Sequence, residues 1–182
     1  MKAVAAVQAL SSSDPRCLVD LELPVPSPSP HDLLVRIEAV SVNPIDTKVR
    51  ASLTDEPADE PRVLGWDAAG VVEATGAAVR RFRVGDAVMF AGAINRPGSN
   101  ADFTLVDERI VGRKPRNLSF MDAAALPLTG LAAWESIFER LALDPHGNDA
   151  GRSLLIIGGA GGVGSIAIQL ARQAGLLSLI HI

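Results

Sequence analysis

Over the first 115 residues, apolar positions recur at the two-residue period of half-buried strands. The run Met1 to Val7 reads as a first strand. Leu33, Val35, Ile37 and Ala39 share one face of a strand predicted over 32–40, with Arg36 and Glu38 opposite. Further strands are predicted at 69–74, ended by Gly76, and at 87–90, entered by the turn Arg83 to Asp86. Segments 101–106 and 109–111 complete the β set. Pro24, Pro26, Pro28 and Pro30 mark an extended linker, because proline neither continues a helix nor donates to a central ladder.

The period lengthens after Pro115. Ser119 followed three residues on by Asp122 is a helix N-terminal signature, and a short helix through 123–126 should stop at Pro127. A second helix is expected over 131–143, with Leu131, Trp134, Ile137, Phe138 and Leu141 on one apolar face that reads as core. A polar loop over 144–152 leads to the apolar run 153–157, which suits a buried parallel strand. A helix follows over 165–174, with Gly175 as the residue just past its end.

Between that strand and that helix lies Gly158-Gly159-Ala160-Gly161-Gly162-Val163-Gly164. Gly159, Gly161 and Gly164 fit the dinucleotide fingerprint. The first glycine makes the tight turn, the second admits the pyrophosphate where a Cβ would collide, and the third lets the helix pack closely. The helix N-terminus offers free N–H groups and a positive dipole end to phosphate. A glycine-rich turn without a ligand is the alternative, and the strand–turn–helix context argues against it. No Lys-Ser/Thr follows Gly164, so a Walker loop is excluded.

Composition narrows the classes. The net charge of -4, with no basic run, argues against a nucleic-acid partner. One cysteine, Cys17, excludes an internal disulfide and any cysteine-rich zinc site. His31, His146 and His181 lie far apart in sequence. The apolar run at the N-terminus ends at Gln8, short of a signal peptide, and no stretch approaches the roughly 20 apolar residues that span a bilayer. A soluble, cytoplasmic protein without a membrane partner is expected.

Five ordered segments resemble the zinc-free, quinone-oxidoreductase-like branch of the medium-chain dehydrogenase/reductase superfamily, in its "zinc-type alcohol dehydrogenase-like" subgroup. They are Asn43-Pro44-Ile45-Asp46, Leu64-Gly65-Trp66-Asp67 running into Val72, Val84-Gly85-Asp86-Ala87-Val88, Ala124-Ala125-Leu126-Pro127-Leu128-Thr129-Gly130, and the glycine turn Gly158–Ala171. The resemblance covers nearly the whole chain. It implies a β-rich GroES-like barrel lobe over 1–120. Linking helices and the start of an α/β Rossmann dinucleotide-binding domain follow over 121–182, truncated after its first βα unit. The tail 176–182 does not resemble the family's usual second strand.

The resemblance also implies chemistry. Asn43 would lie beside the nicotinamide and the substrate carbonyl, Thr129 would contact the nicotinamide end, and Asp46 and Arg50 would line the cleft. Gly159, Gly161, Gly162, Val163 and Gly164 would hold the pyrophosphate. Each has a plainer alternative: Asn43-Pro44 as a turn, Asp46 as a cap or surface charge. Lys48 stands where several quinone reductases carry a tyrosine.

In zinc alcohol dehydrogenases the three catalytic ligands fall where this chain has Asn43, Trp66 and Leu128, so no metal site is expected. Without a metal to stabilise an alkoxide, a quinone, enone or related conjugated carbonyl is the easier hydride acceptor, because charge spreads over it. NADPH is expected over NADH from the resemblance, and no acid occurs between Gly164 and Ile182. The residue that reads the ribose lies about 20 positions beyond the fingerprint, past Ile182. The intact protein is expected to act on a small molecule and to be a homo-oligomer. A zinc-type alcohol dehydrogenase and a non-catalytic nucleotide-binding or structural protein remain the alternatives.

Overall fold

The computed structural model describes residues 1–54 and 60–181, which form two compact units, Met1–Pro127 and Leu128–Ile182. In the first unit, strands β1 (Lys2–Ala6), β2 (Val19–Glu22) and β3 (Asp32–Ser41) lead into helix α1 (Pro44–Ala51). Strands β4 (Arg62–Val63), β5 (Asp67–Thr75), β6 (Ala87–Phe90), β7 (Phe103–Asp107) and β8 (Val111–Arg113) and the short helix α2 (Phe120–Ala124) follow. One antiparallel sheet runs β7-β3-β5-β6-β8 and a second runs β2-β1-β4.

The alternation in β3 does what its pattern dictates. Leu33 and Val35 are fully buried, and they pack with Val72, Val88, Phe90 and Val106 from the neighbouring strands. Burying each such side chain contributes about 1.5–3 kcal/mol. The ladder between β3 and β5 is not continuous. Ile37 pairs with Gly70 but Ala39 pairs with Ala69, so Glu38 is an extra residue in β3. Ser119 caps α2 as its spacing predicted, its hydroxyl accepting from the Asp122 N–H at 3.1 Å.

Three expectations for the first unit need correcting. Residues 109–111 are not a strand. Glu108–Ile110 form a 3₁₀ turn capped by Asp107, whose carboxylate accepts the Arg109 N–H, and pairing starts only at Val111. Strands β2 and β4 and helix α1 escape the periodicity, being short or interrupted by polar positions. Pro127 does not end the helical region but opens the next helix, where its missing N–H would have had no partner in any case.

That helix, α3 (Pro127–Trp134), runs into a π-wound turn, Glu135–Arg140, in which the Leu141 N–H reaches the Ser136 carbonyl. The wider turn rotates each residue by less than the 3.6 period assumes, so the expected apolar face breaks up. Ile137 is buried, while Leu131, Trp134 and Leu141 are about half exposed.

Strand β9 (Ser153–Ile157) pairs in parallel with β10 (Leu177–His181), and helix α4 (Gly162–Gln173) joins them. The helix begins three residues before the predicted start. Ile156 packs with Ala167, Ala171 and Leu176, but Leu155 and Ile157 on the other face are 60% and 76% exposed. The strand is therefore buried on one side only, because one helix covers it among the described residues. Gly175, at φ +73°, takes the left-handed position past the helix end, as predicted. Among the described residues no helix is long and apolar enough to cross a membrane.

Candidate functional site

In the first unit, the β3–β5 pairing sets Ser41 opposite Asp67. Two residues on, Asn43 adopts an extended conformation and caps α1, and Pro44 supplies the helical φ of the first turn. Asp46 reaches back from that turn, and its Oδ2 accepts the Asn43 backbone N–H at 2.7 Å. The Asn43 side-chain Nδ2 donates to Asp67 Oδ2 at 2.8 Å. All three residues are buried, Asp67 completely. The Asp46 Oδ1 atom is also buried and meets no protein donor.

The structure brings Asn43 and Asp46 together, and Asp46 serves as a cap, the plainer of the readings left open for it. Arg50 does not present its charge freely, since its guanidinium donates to the Leu10 carbonyl at 2.7 Å. Lys48 is exposed. Asp67 is the residue that the sequence reading gives no part in the site. The signal that marks it otherwise is an acid opening the apolar strand Asp67-Ala68-Ala69-Gly70-Val71-Val72.

The donor set fits zinc poorly. Trp66 is buried against Leu64 and Ile45, and its indole N–H donates to the Ala93 carbonyl at 3.1 Å. Asp46 and Asp67 each already accept a hydrogen bond from Asn43, and neither a thiolate nor an imidazole accompanies them. Among the described residues no three His, Cys, Asp or Glu side chains gather as a metal would require.

In the second unit, β9 leads through the glycine turn into α4. The left-handed residue is Gly158, at φ +72°, one position before the glycine to which the fingerprint assigns the tight turn. Gly164 permits close packing as expected: a Cβ there would lie 2.3 Å from the Gly158 carbonyl oxygen and 2.8 Å from the Gly159 Cα. Gly161 is the N-cap of α4 in ordinary extended backbone, and a Cβ there would meet nothing nearer than 3.3 Å. Its surroundings in the protein therefore barely require a glycine, which suits a position kept open for a ligand.

Gly162, Val163 and Gly164 form the first turn of α4, and their N–H groups precede the first intrahelical bond, from Ser165 to Gly161. Gly161, Gly162 and Val163 are exposed. Thr129 stands beside this turn, its Cγ2 3.1 Å from where a Gly162 Cβ would be. Thr129 thus lies against the glycine turn, whose exposed N–H groups are donors suited to an anion.

Residues 29–116 match the alcohol dehydrogenase GroES-like domain. They belong to that domain family. A zinc-type alcohol dehydrogenase-like protein of Staphylococcus epidermidis is 44% identical over 97% of this chain and 52% of its own length. A solved structure from Rhizobium etli, described as a zinc-dependent alcohol dehydrogenase protein, superposes with a TM-score of 0.90 at 52% identity over 99% of this chain and 52% of that one. A chloroplastic NADPH-dependent alkenal/one oxidoreductase of Arabidopsis thaliana is 39% identical over 82% of this chain and 39% of its own length. The GroES-like domain and these relatives bear out the resemblance to the medium-chain dehydrogenase/reductases. The chain spans about half the length of the curated relatives it matches.

Proposed function

We propose that the intact protein is an oxidoreductase that uses NADPH to reduce a quinone, enone or related conjugated carbonyl, and that it does so without zinc. The observation that carries this reading is the donor set at Asn43. It consists of an asparagine whose backbone N–H donates to Asp46 and whose side-chain amide donates to Asp67, with a buried tryptophan where a metal ligand would stand. Such a set can accept and donate hydrogen bonds but cannot supply a Lewis acid. A conjugated acceptor tolerates this, because it delocalises the charge that arrives with the hydride.

NADPH, when bound, supplies the hydride. The residues of the chain bind and orient. The N–H groups of Gly162, Val163 and Gly164 are placed to receive the pyrophosphate, and Thr129 stands next to them. Asn43 is buried and held at both its backbone and its side chain, as a group that positions the nicotinamide amide beside the reacting carbonyl should be. The name of the Arabidopsis relative supports both the cofactor and the conjugated acceptor. We further read the intact protein as a homo-oligomer in which the barrel lobe covers 1–120 and the cofactor domain begins in 121–182.

The test is NADPH consumption by the intact, metal-analysed protein with 9,10-phenanthrenequinone and an alkenone. Turnover at less than 0.1 zinc per chain is expected. One tightly held zinc per chain with alcohol oxidation, or no turnover of either acceptor, overturns the reading.

A further inference from the structure

We infer that Asp67 sets the orientation of the Asn43 carboxamide, and so acts as a positioning residue for the proposed hydride-transfer site. This inference rests on the role given above to Asn43. An asparagine amide is nearly symmetric in shape but not in chemistry: rotated by half a turn, it exchanges a double donor for an acceptor. A residue that must present one of these faces to a ligand needs something to hold it. A carboxylate accepts and does not donate, so the 2.8 Å bond to Asp67 requires Nδ2, and not Oδ1, to face β5. The Oδ1 atom is left on the other side, as an acceptor. Asp67 is completely buried, so water does not compete for the bond.

The backbone is built to make this pair. At Ile37 the ladder sets Gly70 opposite, and four more residues along each strand would bring Trp66 opposite Ser41. The extra residue at Glu38 shifts the register by one and places Asp67 there instead. A bulge that re-aims a side chain beside a site is a recurrent device. Asp46 meanwhile fixes the Asn43 backbone N–H, so the two carboxylates constrain Asn43 at different points. The capping box of α1 engages the side of the Asn43 carboxamide that faces the Asp46 backbone N–H, and the Asp67 bond holds the opposite, Nδ2, side.

The experiment uses the intact protein and the isosteric variant Asp67→Asn, whose amide can donate as well as accept and so no longer selects one rotamer. The kcat with 9,10-phenanthrenequinone should fall about tenfold or more, with the KM for NADPH changed less than threefold. In an Asn43→Ala background the same change should alter kcat less than twofold, because its effect runs through Asn43. Equal losses in both backgrounds would overturn the inference.

A second readout needs no turnover. In the unmutated protein the Asn43 side-chain amide protons should be protected from hydrogen exchange, and in Asp67→Asn their NMR resonances should move and protection should fall. Exchange at the rate of a free asparagine in the unmutated protein, or resonances unmoved in the variant, would also overturn it. A protected amide together with full activity in Asn43→Ala would instead sink the proposed role of Asn43 and leave its orientation by Asp67 standing.

Discussion

Gly161 and Gly164 lie three residues apart and should respond to a side chain in different ways. At Gly164 a Cβ would collide with backbone at 2.3 Å, and backbone at the mouth of a turn cannot swing aside. At Gly161 the nearest atom is at 3.3 Å and the dihedrals suit any residue, so the Gly158 oxygen need give by only a few tenths of an ångström. Gly161→Val should therefore keep the fold, with near-native circular dichroism and a stability loss of about 1 kcal/mol or less, while NADPH binding to the intact protein is lost. Gly164→Val should lower the melting temperature and disturb α4 itself. Unchanged NADPH affinity in a folded Gly161→Val protein would refute the cradle. The fingerprint was legible because glycine spacing is local. That Gly158 takes the left-handed turn was not, because several adjacent glycines can all adopt that conformation.

Elements show the same division between local and distant causes. The α2 cap was readable from Ser119 and Asp122 alone, and Ser119→Ala should cost about 1 kcal/mol in denaturant unfolding. The pair that ties the start of β3 to the loop before β7 was not readable, since Asp32 and Arg96 are 64 residues apart. There the Arg96 guanidinium grips both oxygens of buried Asp32, at 2.9 and 2.8 Å, and holds its carboxyl below the usual carboxylate range. A carboxylate whose folded pKa is depressed contributes stability above its unfolded pKa, near 4, and that contribution is lost as pH falls through the folded value. Arg96→Met should accordingly destabilise by about 2 kcal/mol at pH 7. Its difference from the unmutated chain should shrink as the pH is taken from 4 towards 2, as urea titrations would show. A difference that stays constant over that range would mean that packing, not the ion pair, holds the loop.

For the whole molecule, the telling feature is the open face of β9. Leu155 and Ile157, with Leu177 at 59% exposure, present an apolar strip beside strand edges that are unpaired among the described residues. Such surfaces favour association. The 182-residue chain by itself should self-associate at micromolar concentration in light scattering, and Leu155→Lys with Ile157→Lys should reduce this. A monodisperse, cooperatively melting monomer of the unmutated chain would contradict the expectation. The polar pattern of 144–152 and the change of period after Pro115 announced two differently built parts, and the chain forms two compact units that meet in sequence at Pro127.

The β-rich lobe, the strand–glycine turn–helix unit and the cap of α2 were legible in the residues alone. These depend on alternation, glycine spacing and side chains within four residues of one another. The resemblance also named Asn43 and Asp46, which the first turn of α1 holds three residues apart. That Asp67 joins them is seen only in the folded chain. Its position depends on the pairing of two strands 24 residues apart in sequence and on one extra residue at Glu38, and strand register is a property of the assembled sheet rather than of either strand. The π turn after Trp134 and the bare side of β9 were decided in the same way, by winding and coverage that no local pattern records.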